Sequence, residues 1–79
     1  MKTKFVMIKC EAGKAHGVAD KVVELLQVSE IYTVSGDYDL LIKCDLPDAT
    51  KVDDFIIKHI QTLTGVSSTH TLNTHKWFA

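Results

Sequence analysis

Arginine is absent from this 79-residue sequence: all nine basic residues are lysines, at positions 2, 4, 9, 14, 21, 43, 51, 58 and 76. Arginine's planar fork is the side chain best matched to phosphate and guanine, and lysines spread singly along a chain build no basic stripe. With ten acidic residues the net charge is −1. Direct contact with nucleic acid or with a phosphorylated substrate is therefore not expected. Cysteine is scarce as well. Cys10 and Cys44 are too few for a disulfide framework and too far apart for a redox or zinc motif, so they read as two reduced, buried thiols. No apolar run approaches the roughly 18 residues needed to cross a bilayer, and the apolar run after the charged start is too short for the apolar region of a leader. No membrane partner is expected, and the expected location is cytoplasmic.

What is present is ordinary for a globular protein: 46% hydrophobic and 24% charged residues. The length allows one domain, residues 1–79. A domain this small buries a modest core and commonly gains stability by oligomerising.

Residues 4–10 (KFVMIKC) are β-rich and almost continuously apolar, the pattern of a central strand. From Lys14 to Leu26 the residues Ala15, Val18, Ala19, Val22, Leu25 and Leu26 recur at helical spacing, with charges largely on the other side. Val28–Val34 reads as a second strand and Tyr38–Cys44 as a third, joined by a tight hairpin through Ser35-Gly36-Asp37. Asp45-Leu46-Pro47-Asp48 breaks the chain. Thr50-Lys51-Val52-Asp53 resembles a capping box, and the following helix sets Val52, Phe55, Ile56, Ile60 and Leu63 on one stripe, with Gly65 placed to cap its end. Residues 66–77 read as a last, polar strand. The order β-α-β-β-α-β, with two right-handed crossovers flanking a hairpin, gives an α+β, ferredoxin-like fold: one antiparallel sheet with both helices on one face.

That topology leaves one sheet face uncovered. Yet the first strand alternates Phe5 and Met7 against Val6, Ile8 and Cys10, and the third sets Leu41 against Leu40, Ile42 and Cys44. A sheet with one wet face would alternate cleanly with polar residues. The same face of a second copy is the simplest cover, so a face-to-face dimer is expected.

No Ser-His-Asp pattern, G-x-S-x-G, P-loop or H-E-x-x-H occurs. His70 and His75, five apart on an expected strand, point to opposite faces, and His16 and His59 fall on helices, so no metal site and no cofactor are expected. The fold alone decides nothing, but exclusions help. The sequence lacks an arginine phosphate cradle, a Cys-x-x-Cys in the first loop, and the aromatic, basic surface of an RNA-recognition motif.

Two features stand out. Gly36-Asp37-Tyr38-Asp39 packs two acids beside a glycine turn, and Ser67-Ser68-Thr69-His70-Thr71 is rich in hydroxyls. Asp39 could pair with an amino group, backbone N–H groups around Gly36 could receive a carboxylate, and Thr69 and Thr71 share a strand face. A zwitterionic amino acid would satisfy all of these groups. A solvated hairpin and a polar edge strand explain the same residues without a ligand.

The segment Val34-Ser35-Gly36-Asp37-Tyr38-Asp39-Leu40-Leu41-Ile42-Lys43 closely resembles the signature hairpin in the C-terminal effector (RAM) domain of the Lrp/AsnC family of transcription regulators. Val6–Lys14 resembles that domain's first strand and loop, and Gly65–Leu72 its last strand. The three segments cover essentially the whole chain in matching order and spacing. The resemblance implies a dimeric α/β barrel that assembles further, often as four dimers in a ring, with small effectors, typically amino acids, bound between dimers. Carried over by position, Gly36, Tyr38 and Asp39 hold the effector, Asp37 lies in the same loop, and Thr69 and Thr71 come from a neighbouring subunit. Regulators of this family carry an N-terminal helix-turn-helix, whereas this sequence starts at the effector domain. The expectation is a stand-alone, non-enzymatic effector module that modulates regulation of amino acid metabolism. The alternatives are a ligand-independent subunit co-assembling with a full-length regulator and a small dimeric α/β-barrel enzyme.

Overall fold

The computed structural model describes residues 1–77; residues 78 and 79 of the expected domain lie outside the described part. The elements are β1 (Lys2–Cys10), α1 (Ala15–Val22), β2 (Val28–Thr33), β3 (Leu40–Leu46), α2 (Val52–His59) and β4 (Val66–Leu72). The four strands form one antiparallel sheet in the order β2-β3-β1-β4, so the apolar strands β1 and β3 are central and the polar β4 is an edge. This is the expected β-α-β-β-α-β arrangement.

The sheet register sorts side chains by face. Val6 pairs with Ile42 and Ile8 with Leu40, and all four are fully buried beneath the helices together with Cys44 and Leu46. Val18 and Val22 from α1, and Phe55, Ile56 and Ile60 from α2, complete this single core. The intervening residues Phe5, Met7 and Leu41 occupy the other face, where they are half-buried with no helix over them, and Thr74, His75 and Lys76 beyond the last strand border a cavity at the Phe5 end. Beside this apolar strip lies a polar one. The Tyr32 hydroxyl donates to the Glu30 carboxylate, Lys43 Nζ lies 3.4 Å from the other oxygen of Glu30, and the Thr3 hydroxyl donates to Asp45 at 2.8 Å.

Several expectations are corrected at element ends. The first helix stops at Val22 instead of Leu26: Glu24 N–H donates to Lys21 O and Leu25 N–H to Val22 O, short i→i+3 bonds that tighten and end the helix. Leu25 turns inward, while Leu26 is 99% exposed and has no place on the stripe. The capping box does not form. Thr50 N–H donates to Pro47 O in a turn, Lys51 is the N-cap without a side-chain bond, and Asp53 and Asp54 instead complement the helix dipole from the first turn. The second helix ends at His59, so Gly65 is not its cap. Its φ of +99° turns the chain into β4, where Glu11 N–H donates to its carbonyl at 2.8 Å. The last strand ends at Leu72, which leaves His75 off the sheet. The third strand runs from Leu40 to Leu46, two residues later than expected, so the β2–β3 connection is a six-residue loop, 34–39, and not a tight hairpin.

Candidate functional site

Loop 34–39 is longer than a two-residue turn because β1 takes part in it. Val34 N–H donates to Asp39 O at 3.0 Å and closes the loop. At Gly36 φ is +100°, and a Cβ built there would meet no atom within 4 Å, so glycine serves the backbone conformation and not a tight contact. Asp39 N–H donates to Ile8 O at 3.0 Å, and Cys10 N–H donates to Asp39 Oδ2 at 2.7 Å. The β1–β3 ladder ends at the pair Ile8–Leu40, so the Asp39 carboxylate continues it one step and satisfies an amide that β3 no longer reaches. That partly commits Asp39 to structure. Burial and, second, the charge of Asp39 push the Cys10 thiol above its ordinary value.

The rest of the loop leans over the uncovered sheet face. Lys9 Nζ donates to Asp37 O at 2.8 Å, and the Tyr38 ring lies 6.2 Å from that of His70, tilted by 33°. His70 pairs with Met7, which places both on the open face. Gly36, Asp37, Tyr38 and Asp39 therefore form one cluster, tied to β1 and β4.

Thr69 and Thr71 belong to a different surface. They pair with Ile8 and Val6, whose side chains enter the core, so both threonines face the helix side at the edge of the sheet. Gln61 Nε2 donates to Thr69 Oγ1 at 3.1 Å. Between α2 and β4 lies an open groove of about 360 Å³ lined by Asp53, Ile56, Ile57, Gln61, Thr69, His70 and Thr71. The structure thus brings the two threonines together, and brings the loop residues together, but holds the two groups on opposite faces of one sheet.

The sequence reading missed the α2 wall of this groove and the strand contacts of the loop. Asp53, Ile57 and Gln61 recur every four residues, a spacing that could have marked them as one line along the helix, but the core stripe dominates the pattern there. Nothing local in the sequence signals that Cys10 N–H bonds Asp39. Among the described residues no polar or charged side chain is buried, and no cluster of three or more His, Cys, Asp or Glu could hold a metal. No helix in the described part is long and apolar enough to cross a membrane. The chemistry on offer is recognition: an anionic acceptor and free backbone in the loop, and hydroxyls, an amide and an apolar wall in the groove.

Comparison with known proteins bears on the fold and the family. The helix-turn-helix-type transcriptional regulator FL11 of Pyrococcus furiosus is 35% identical over 68 residues, covering 86% of this chain and 44% of that protein. The chain spans about half the length of the curated regulators it matches. A homocitrate synthase of Sulfolobus acidocaldarius is 34% identical over 67 residues, which make up 84% of this chain but only 14% of that enzyme. A protein of Thermus thermophilus, TTHA0845, has the same fold with a TM-score of 0.88 and 34% identity, over 100% of this chain and 99% of its own. A Neisseria meningitidis transcriptional regulator, solved as a complex with L-Met, shares the fold at a TM-score of 0.82 and 18% identity, over 98% of this chain and 51% of its own. The family model of the Lrp/AsnC ligand binding domain matches residues 3–75, nearly the whole length, and the chain belongs to that family.

Proposed function

We propose that this chain is a non-enzymatic effector-binding module that senses an amino acid within an assembly of copies and passes that state to transcription regulation of amino acid metabolism. The observation that carries the reading is the placement of the two candidate half-sites. Tyr38 lies with His70 on the open face, while Thr69 and Thr71 face the helices. The two groups lie on opposite faces of the sheet at its β4 edge, so a small ligand seated in the threonine groove of one copy would draw its loop contacts from another. The half-buried strip of Phe5, Met7 and Leu41 supports pairing of two copies through the open face, and contacts between such pairs would build the complete site. In this arrangement Gly36 and Tyr38 bound the ligand, Asp39 presents its remaining carboxylate oxygen to the ammonium group, and Asp37 adds negative charge to the loop. Higher assembly, which the family resemblance implies as up to four dimers, would repeat the same contact.

The test is isothermal titration of the chain with the common L-amino acids, L-Met among them because a regulator of the same fold binds it, paired with sedimentation velocity. The expected result is saturable binding by one or a few amino acids with a change in assembly size. No binding by any of them and no change in size would overturn the reading. Asp39→Asn is the informative variant: Asn can still accept the Cys10 N–H, so the fold is kept while the charge is lost, and binding should weaken about tenfold or more.

A second reading draws on the match to a small part of a homocitrate synthase. The module would then report effector binding to a partner polypeptide, a full-length regulator or an enzyme, by mixed assembly. Co-purification of a larger partner that the effector releases or recruits would favour it, whereas homo-oligomers alone would count against it.

A further inference from the structure

We infer that Ile57 on α2 sets the side-chain class of the effector: the groove takes an amino acid whose uncharged aliphatic side chain lies on Ile57, and it disfavours acidic ones. This rests on the effector reading above and states which effectors it admits.

α2 buries Phe55 and Ile56, with Ile60 just beyond its end, and Val52 is half-buried. Ile57 takes no part in that core and is 57% exposed. A single exposed isoleucine is common and means little alone. Its surroundings give it meaning. Asp53, Ile57 and Gln61 stand four residues apart, so they form one line along α2 and its terminal turn, all lining the groove that Thr69 and Thr71 bound from the other side. Gln61 closes one end of the line with its hydrogen bond to Thr69. Asp53 stands at the other end. The middle is apolar, with Ile57 as wall and Ile56 beside it.

The open groove of about 360 Å³ is at the low end for small-molecule sites and has room for one amino acid. Among the described residues no lysine lines the groove, and His70 borders it from the backbone while its ring lies with Tyr38 on the open face. A carboxylate side chain would enter beside Asp53 with no cation to offset the repulsion. An aliphatic one would exchange water for the Ile57 surface, worth about fourfold in affinity for each methylene buried.

The experiment is titration of the wild-type chain with L-leucine, L-methionine, L-serine and L-glutamate, repeated on Ile57→Ser, Ile57→Leu and Asp53→Asn. Expected is at least tenfold tighter binding of leucine or methionine than of serine or glutamate. Ile57→Ser should erase that ratio by weakening the aliphatic ligands alone, Ile57→Leu should keep it, and Asp53→Asn should improve glutamate. Saturable binding of serine or glutamate with no aliphatic preference overturns this inference and leaves the effector reading standing. An unchanged ratio in Ile57→Ser overturns it too, as does a change in sedimentation of that variant without ligand, which would make Ile57 an assembly contact. Binding by none of the common amino acids removes the effector reading and this inference together.

Discussion

The two faces of the sheet are built from the same strands and differ in almost everything else. On the helix side Val6, Ile8, Leu40, Ile42, Cys44 and Leu46 are at most 1% exposed. On the open side Phe5, Met7 and Leu41 are only half-buried and share the surface with Glu30, Tyr32, Lys43 and His70. One face is finished within the chain and supplies its stability. The other is unfinished and carries the loop of the candidate site, and in the proposed assembly it is the face a second copy covers. A side chain's contribution should therefore depend on which face it occupies, more than on its size.

The sharpest break of that comparison is a pair of neighbouring truncations. Ile42→Ala opens a cavity in the closed core and should cost about 2–5 kcal/mol, a large part of the roughly 4–12 kcal/mol that a domain of this length possesses at 0.05–0.15 kcal/mol per residue. Leu41→Ala, one residue away on the open face, should cost the isolated chain about 1 kcal/mol or less. Its main effect should be a rise in the concentration at which copies associate. Urea unfolding at two protein concentrations separates the two. Equal and concentration-independent losses would mean that the open face is not an interface.

Next in size comes a pair of glycines. Gly65 has φ of +99°, and a Cβ there would lie 2.9 Å from Lys14 Cβ and 3.1 Å from Val18 Cγ2. Gly65→Ala adds a steric clash with α1 to the left-handed strain and should cost about 2–4 kcal/mol. Gly36→Ala bears the strain alone, about 1–2 kcal/mol, because its surroundings are open. Thermal unfolding of both variants checks the order; Gly36→Ala as the more damaging would place an unseen contact over the loop.

The same contrast explains what could be read from the sequence. The finished face was legible: the two-residue alternation of β1 and β3 and the helical stripes Val18/Val22 and Phe55/Ile56/Ile60 report burial directly, and together they give the fold. The ends of elements were not, because they depend on backbone bonds between distant residues, such as Glu11 to Gly65, or on turns that displace a cap, as at Thr50. The candidate site was legible only in parts. Gly36–Asp39 and Thr69/Thr71 stood out by residue type, but their separation by the sheet comes from strand register. The structural use of Asp39 comes from the ladder ending at Ile8–Leu40, and no local pattern encodes either.

At neutral pH the faces differ least in their titrating groups, and a pH series distinguishes them. Burial, followed by the nearby charge of Asp45, pushes the Cys44 thiol up to about 11 from its ordinary 9.0. The folded chain then keeps a proton that the unfolded chain releases, so stability is fully present below pH 9 and falls as pH rises from 9 toward 11. On the open face the hydrogen bond from Tyr32, then the charge and hydrogen bond of Lys43, hold the Glu30 carboxyl below its usual range. Its contribution is present above the unfolded value of 4.5 and fades as pH drops through the lowered folded value, and solvent exposure keeps it small and sensitive to salt. Tyr32 itself, raised by its bond to Glu30, titrates in the alkaline range too, and Cys10 is raised as well, so the alkaline limb needs a control. Cys44→Ala supplies it: whatever that variant loses at neutral pH, its stability between pH 9 and 11 should decline less steeply than the wild type's. An unchanged slope would assign the alkaline limb to the open-face tyrosine or to Cys10 at the end of β1, and would show that the finished face does not govern the response to alkaline pH.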